Sequence, residues 1–415
     1  MNVLHLSTWD IQGGAARAAY RLHDGLRDTE VTSRMYVKTK SSQDADVEAY
    51  SYRRPLHRRV ADRFRRRTLH RRRMAYDDSR PEGLELFSIA QTFSGPYVPR
   101  VLPDADVYNL HWINRFIDPL PFFSSIRKPV VWTLHDMNPF TGGCHYNAGC
   151  RSFEASCGAC PQLGSSDPND LSREIWTRKR DAYAGHAPVI VCPSQWLARE
   201  ASQSALFGAF EVRVIPYGVP HTVFRPRDAS GMRRALGIPE DHAVLLFVAQ
   251  STDNNRKGFR RLQQALSRME QDEVTLVSIG GGHPDLGGNA SHVHLGSIQS
   301  NVLLAACYSM ADLFVIPSLQ DNLPNTVLEA MACGTPVVGF DTGGIPDMVR
   351  PGETGWLAAE VGEAESLQHT IEAALTDTHR ADMGRTCRTV VEQEYTLQRQ
   401  AERYEALYAE LLDAD

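Results

Sequence analysis

The sequence predicts an α/β protein of two doubly wound, Rossmann-like domains, each built on a parallel sheet. Three observations carry this. Short β-rich runs alternate with helical patterns along the whole chain, which argues for parallel strands joined by helices. The segment Val214-Ile215-Pro216-Tyr217-Gly218-Val219-Pro220 is rich in breakers and separates two such series. A chain of 415 residues is long for one domain and comfortable for two.

In the first series the predicted strands are Val3–Leu6, Val107–Leu110, Val130–Leu134 and Val189–Cys192. In the second they are Val244–Val248, Thr275–Ile279, His292–Leu295, Leu313–Ile316 and Pro336–Phe340. The boundary is placed near Val219–Arg225, which gives domains 1–219 and 220–395. Two such domains facing each other leave an interdomain cleft at the C-terminal ends of both sheets, where ligands of open α/β folds bind. The composition, 42% hydrophobic and 23% charged, is that of an ordinary globular protein. No apolar run approaches the length of a transmembrane helix. Met1-Asn2-Val3-Leu4-His5-Leu6-Ser7 lacks a basic region and a long apolar core. It reads as a first strand rather than a signal peptide, so a cytoplasmic protein with reduced cysteines is expected.

The motifs lie just after predicted strands. Ser318-Leu319-Gln320-Asp321-Asn322-Leu323-Pro324 follows Leu313–Ile316 and opens a helix, with Pro324 expected in its first turn and Gly334 closing it. The amides of that helix N-terminus, near Asn322 and Leu323, suit a phosphate. The carboxylates of Asp321 and Glu329, eight residues apart, suit sugar hydroxyls. Phosphate plus polyol is what a sugar nucleotide presents. Arg256-Lys257-Gly258, after Val244–Val248, offers two cations to a departing diphosphate, although adjacent side chains tend to point apart. Gly13-Gly14 opens the first helix and lets backbone approach a ligand. The alanines that follow, Ala15 and Ala16, exclude the dinucleotide fingerprint and disfavour a Rossmann dehydrogenase. Thr133-Leu134-His135-Asp136 ends a strand with a histidine, and His111 is a second, lower-ranked candidate. Gly280-Gly281-Gly282 and Leu295-Gly296-Ser297 are weaker, since glycine-rich loops are common.

The stretch from Asp321 to Pro336 resembles the donor-site signature of the retaining family 4 glycosyltransferases, which have the GT-B fold. The first loop, the His135 strand, the hinge and the Lys257 loop occur in that family's order, so the resemblance covers nearly the whole chain. It implies a retaining transferase that takes a nucleoside-diphosphate sugar as co-substrate and needs no cofactor for chemistry. The acceptor would be a glycan or a lipid-linked glycan, in polysaccharide or glycoconjugate synthesis. It assigns His135, Arg256, Lys257 and Asp321 to catalysis, and Gly13, Gly14, Asn322, Leu323 and Glu329 to the donor, with Glu329 on the ribose. It also implies that a helix at about Leu397 to Leu412, in a C-terminal segment 396–415, crosses back to the first domain. Two departures stand out. The first acid is Asp321 where the family has Glu, and Gln250, Ser251 and Thr252 stand where the family has an Arg ahead of the Lys. The rival readings are another GT-B sugar-nucleotide enzyme of the epimerase kind, and a non-catalytic binding protein.

Two segments stand apart. Cys144, Cys150, Cys157 and Cys160 fall within seventeen residues of a Cys-rich insertion, 141–164, which resembles one found in some bacterial family 4 members. A tetrahedral structural zinc site is the leading reading, with disulfides, free thiols or an iron–sulfur cluster open. Between Arg53 and Arg73 lie eleven arginines opposed only by Asp62, about +10 in a chain of net charge −6. Leu56, Val60 and Phe64 form an apolar stripe there. The open readings are docking on an anionic membrane at the inner face, a solvated helix, and nucleic acid, which is disfavoured because aromatics for base stacking are scarce.

Overall fold

The computed structural model describes residues 1–52, 59–269, 273–282 and 291–413, with the side chains at 59–62, 65, 66 and 73 outside that description. It divides into two compact units. One is Met1–Pro216 with Gln400–Asp415, the other Tyr217–Arg399. The division at Pro216 falls inside the breaker-rich segment 214–220.

The first unit runs β1 (Asn2–Trp9), α1 (Gly14–Leu26), β2 (Thr32–Thr39), β3 (Val47–Ala49), α2 (Arg59–Met74), β4 (Val107–Leu110), α3 (Pro119–Ser125), β5 (Val130–Thr133), α4 (Leu171–Tyr183), β6 (Val189–Cys192), α5 (Gln195–Gln203) and β7 (Val212–Val214). Among the described residues its sheet has seven parallel strands in the order β3-β2-β1-β4-β5-β6-β7. The order reverses between β1 and β4, which makes the C-terminal ends of those strands the place for a ligand.

The strand residues alternate between two buried faces. Leu4, Leu6, Leu110 and Trp132 pack into an aromatic-rich core with Phe122, Phe123 and Phe207. Val3, Val107, Val131, Val189 and Val191 pack on the opposite face against Leu22 and Leu26 of α1. A sheet covered on both sides needs continuous apolar strands, which is why these runs were readable.

The second unit runs α6 (Ser230–Ala235), β8 (Ala243–Ser251), α7 (Phe259–Leu266), β9 (Val274–Gly281), β10 (Ser291–His294), α8 (Asn301–Met310), β11 (Leu313–Ile316), α9 (Asn325–Ala332), β12 (Val337–Phe340), β13 (Gly355–Ala358), α10 (Ala364–Thr376) and α11 (Arg380–Glu394). The described strands form a parallel sheet in the order β10-β9-β8-β11-β12-β13. Its switch point lies between β8 and β11. One face packs Leu245, Phe247, Leu276, Val315 and Phe340 against α7 and α10. The helices α8 and α9 lie against β8, β11 and β12.

The last helix, α12 (Leu397–Asp413), starts in the second unit, and from Gln400 onward it belongs to the first. There Ala401, Tyr404, Leu407 and Tyr408 complete the valine face of the first sheet. Buried hydrogen bonds pin it. Asn109 Nδ2 donates to Tyr408 Oη at 2.6 Å, Thr133 Oγ1 donates to Asn109 Oδ1 at 3.0 Å, and Tyr404 Oη lies 2.8 Å from Thr133 Oγ1.

Four strands were not expected. The strand β2 carries Thr32, Arg34 and Lys38 among its buried residues, β3 and β7 have three residues each, and β13 opens on a glycine. None presents the apolar run that marks a fully buried strand. No helix among the described residues is long and apolar enough to cross a membrane.

Candidate functional site

In the second unit two loops meet at the switch point. After β8 the chain makes a 3-10 turn, Asn255–Lys257, capped by the Asn254 side chain, which accepts from Arg256 N at 3.0 Å. Gly258 then takes φ +72°, and a Cβ there would sit 1.7 Å from the Pro317 carbonyl oxygen. Only glycine lets this turn close onto the chain leaving β11. Leu319 N donates to Arg256 O at 2.8 Å and fastens the two loops together.

The result is a charged cluster. Lys257 Nζ lies 2.6 Å from Asp321 Oδ2, and Arg256 Nη1 lies 3.2 Å from Asp321 Oδ1. The same guanidinium donates to Gln320 O at 2.7 Å. Ser318 Oγ and Asn322 N also donate to the carboxylate, at 3.2 and 3.1 Å. Asp321 is 5% exposed. Burial alone would raise its pKa, but Lys257, Arg256 and the hydrogen bonds overcome that and hold it at about 2.

One expectation is corrected here. Arg256 and Lys257 do not point apart, because both long side chains reach the two oxygens of one carboxylate. Both oxygens of Asp321 are engaged by protein donors.

The helix α9 begins at Asn325, and Pro324 is its cap rather than a residue of its first turn. Proline lacks an N–H and fixes φ at −64° there, so it sets the helix entry without consuming an amide. Asn322 and Leu323 are buried just ahead of it. Glu329 sits one turn inside the helix, 3% exposed, and its Oε2 accepts from Tyr308 Oη on α8 at 3.0 Å. Tyr308 was not expected. It lies 21 residues upstream in an apolar helix, and nothing in its local pattern separates it from a core tyrosine.

In the first unit Gly13, at φ +89°, caps α1, and Gly14 is its first residue. The Asp10 carboxylate beside them accepts from Ile11, Ser41 and Ser42 amides, tying the end of β1 to the chain beyond β2. Trp9 and Trp112 stack with centroids 5.1 Å apart. His135 follows β5, and its Nε2 lies 3.1 Å from Nδ1 of His111, which follows β4 at the switch point. His111 Nε2 lies in turn 2.9 Å from His5 Nδ1. Burial lowers the pKa of His135 to about 4, against the pull of Asp136, and holds His5 and His111 well below the ordinary imidazole value. Asp136 accepts from Trp112 Nε1 at 2.9 Å and contacts His145 Nδ1 at 2.6 Å. His111, Trp112, Trp132, His135, Asp136 and Lys179 line a small cavity in this unit.

The structure does not support the zinc reading. Cys144, Cys150, Cys157 and Cys160 are free thiols, and no group of three or more metal-ligating side chains gathers among the described residues. Cys144 and Cys160 pack against the apolar cluster of Phe87, Leu163 and Ile175. Cys157 Sγ accepts from Gly142 N at 3.2 Å, and Cys150 Sγ donates to Ser152 Oγ at 3.4 Å. Burial pushes the Cys144 thiol up to about 12 and that of Cys157 to about 11.

Of the arginine-rich stretch, Arg53, Arg54, Leu56 and Arg58 lie outside the described residues, as do the side chains of Arg59, Val60, Arg65, Arg66 and Arg73. Arg63, Arg67 and Arg71 are exposed on α2, and Phe64 is 68% exposed. Arg72 pairs with Glu174 of α4 at 2.7 Å.

Residues 242–377, which hold the Lys257 loop, Asp321 and Glu329, match the family described as glycosyl transferases group 1. The chain is 26% identical over 234 residues to the lipopolysaccharide 1,2-N-acetylglucosaminetransferase of Salmonella typhimurium, covering 52% of this chain and 60% of that protein. It is 27% identical over 218 residues to the N-acetyl-alpha-D-glucosaminyl L-malate synthase of Bacillus anthracis, covering 49% and 55%. With the D-inositol 3-phosphate glycosyltransferase 2 of Catenulispora acidiphila it shares 34% over 209 residues, covering 45% and 48%. The chain thus spans about half to three fifths of the length of the curated relatives it matches.

Two solved structures share the architecture over the whole chain. Sucrose-phosphate synthase of Thermosynechococcus elongatus superposes with a TM-score of 0.67 at 18% identity, covering 100% of both chains. Anabaena HepE, solved with UDP and glucose, gives 0.69 at 16%, covering 99% of both. Residues 242–377 thus match the group 1 glycosyl transferases, in a chain that has the GT-B fold.

Proposed function

We propose that the protein is a retaining glycosyltransferase that moves a sugar from a nucleoside-diphosphate donor to a glycan or lipid-linked acceptor. The observation that carries this is the cluster of Lys257, Arg256 and Asp321 at the switch point of the second sheet, with Glu329 one turn inside the next helix. In the reaction, the bond from the sugar C1 to the diphosphate oxygen breaks and a bond from C1 to the acceptor oxygen forms. The acceptor proton passes to the departing phosphate oxygen, and the nucleoside diphosphate leaves.

Negative charge grows on that phosphate as the bond breaks. Lys257 and Arg256 are fixed in advance to meet it, which makes their stabilisation larger in the transition state than in the ground state. The N-terminal amides of α9 add to the same field. Two protein cations thus carry the positive charge in a metal-independent mechanism. Glu329 accepts hydrogen bonds from the ribose hydroxyls while Tyr308 holds its other oxygen. Asp321 orients the cations before the donor arrives. In the first unit, His135, neutral, is the candidate for the donor sugar, and Gly13 and Gly14 are the candidates for the diphosphate. Relatives that transfer N-acetylglucosamine, and HepE solved with UDP-glucose, support a nucleotide-sugar donor. The exposed arginines and Phe64 of α2 favour an anionic membrane surface and hence a lipid-linked acceptor.

Calorimetric titration with UDP, GDP and ADP tests the reading. One diphosphate is expected to bind, and Glu329→Ala to weaken it by about 1–3 kcal/mol, since the buried hydroxyls lose their acceptor. No binding of any of them by the wild-type chain at millimolar concentration sinks the proposal.

A further inference from the structure

The three histidines at the C-terminal end of the first sheet sit on neighbouring strands. His5 lies within β1, His111 just beyond β4 and His135 just beyond β5, and β1, β4 and β5 are adjacent in the sheet. Their rings form a file: His135 Nε2 to His111 Nδ1 at 3.1 Å, then His111 Nε2 to His5 Nδ1 at 2.9 Å. His5 is 0% exposed, His111 2% and His135 9%. At the near end, His5 Nε2 is buried with no hydrogen-bond partner among the described residues.

We infer that His111, backed by His5, is a positioning residue that fixes His135 as the tautomer carrying its proton on Nδ1.

The argument is one of proton counting. Each neutral imidazole has one N–H, and each of the two N···N contacts needs one proton between its nitrogens. Two arrangements of three neutral rings satisfy both contacts. In one, the protons point toward His5, and His5 Nε2–H is left buried with no acceptor. In the other, they point toward His135, and His5 Nε2 is left as a bare lone pair. A buried N–H without an acceptor is the rarer and costlier orphan.

The neighbouring His23 does not rescue the first arrangement. Its ring centroid is 6.1 Å from that of His5, and both its nitrogens are engaged. Arg27 Nη2, always protonated, donates to His23 Nε2 at 3.0 Å, so the His23 proton sits on Nδ1, which donates to Ser33 Oγ at 2.7 Å. The second arrangement therefore holds. His5 Nδ1–H donates to His111, His111 Nδ1–H donates to His135 Nε2, and His135 carries its own proton on Nδ1. The ring nitrogen that one partner occupies sets what the other nitrogen can do. Insofar as the proposed function brings His135 to the donor sugar, it acts there as a hydrogen-bond donor, not as a base.

Ring-labelled ¹⁵N-histidine in the full chain, read by long-range proton–nitrogen correlation at neutral pH, tests this directly. His135 is identified by the signals lost in His135→Gln. In wild type, His5, His23, His111 and His135 are all expected as Nδ1–H tautomers. His111→Leu removes the donor and opens Nε2 of His135 to water in the cavity both rings line, so the Nε2–H form of His135 is expected to appear. Turnover is expected to fall about tenfold, with donor KM held within about twofold. His111→Asn restores an amide N–H near the lost Nδ1–H and is expected to bring the wild-type tautomer back.

A wild-type His135 protonated on Nε2 overturns the inference. So does an unchanged His135 tautomer in His111→Leu. The outcome separates from that of the proposed function. A chain with the Nδ1–H file intact that transfers no sugar refutes the transferase reading alone, and a sugar-transferring chain with His135 protonated on Nε2 refutes this one alone.

Discussion

Lys257 Nζ lies 2.6 Å from Asp321 Oδ2, on a carboxylate that is 5% exposed and that Arg256 also engages. Two cations of one loop are thus held by one acid of the next. The ion pair is a local arrangement with a measurable acid signature.

Asp321 is held at about 2, below its ordinary value of 3.8. A depressed carboxylate adds stability above its unfolded pKa and loses it as pH falls through the folded one. Asp321→Asn is expected to cost on the order of 2 kcal/mol at pH 7. That gap should close between pH 4 and pH 2, as the wild-type carboxylate also becomes neutral. Urea unfolding of both proteins at pH 7, 4 and 3 checks it, and a gap that stays constant over this range would be incompatible with the ion pair.

Lys257→Ala is expected to lower turnover by about two to three orders of magnitude, with a smaller effect on donor affinity, because its charge matters most as the phosphate departs. Arg256→Ala should fall in the same direction, since the guanidinium reaches the same carboxylate. Steady-state kinetics with the donor found by titration decide the matter. Full activity in both single variants would remove the leaving-group role.

Tyr408→Phe is expected to destabilise the first unit by about 1–3 kcal/mol, because Asn109 Nδ2, fully buried, loses its acceptor. Tyr404→Phe should cost less, about 1 kcal/mol or below. Thr133 Oγ1 keeps Asn109 Oδ1 as its acceptor and loses only a donor to itself. Chemical denaturation ranks the two, and the reverse order would count against the hydrogen-bond pattern.

Sedimentation with liposomes addresses the arginine-rich helix. Binding should rise with anionic lipid and fall with salt, each basic residue contributing up to about 1 kcal/mol. Arg63, Arg67 and Arg71 changed together to Gln should lose most of it. Equal recovery in the supernatant with neutral and anionic vesicles at low salt would leave α2 as a solvated face.

Much of this architecture was legible in the linear chain. Strands buried on both faces, such as β6 and β11, are unbroken apolar runs, and Lys257 and Glu329 stand in motifs that follow such strands. The illegible parts share a cause: they depend on where side chains converge after folding. Tyr308 meets Glu329 across two helices. His5 reads as one more residue of a buried strand until His111 is seen against it. The cysteines show the same limit, because closeness in sequence does not by itself build a ligand set, and two of them pack against an apolar cluster. Charge adjacency misleads in the opposite sense, since Arg256 and Lys257 converge on Asp321 although they are neighbours.

The position of α12 has a consequence for how the chain comes to be folded. The valine face of the first sheet is finished by Ala401, Tyr404, Leu407 and Tyr408, roughly 200 residues after Pro216. At a synthesis rate of ~5–20 residues per second, that face waits roughly 10–40 s for its cover. The part of the molecule that leaves the ribosome first is therefore completed last, and during that interval its sheet presents a wet apolar surface. Contacts so distant in sequence also slow the search once synthesis ends. The window for aggregation, and for chaperone capture, is thus built into the order of the elements along the chain.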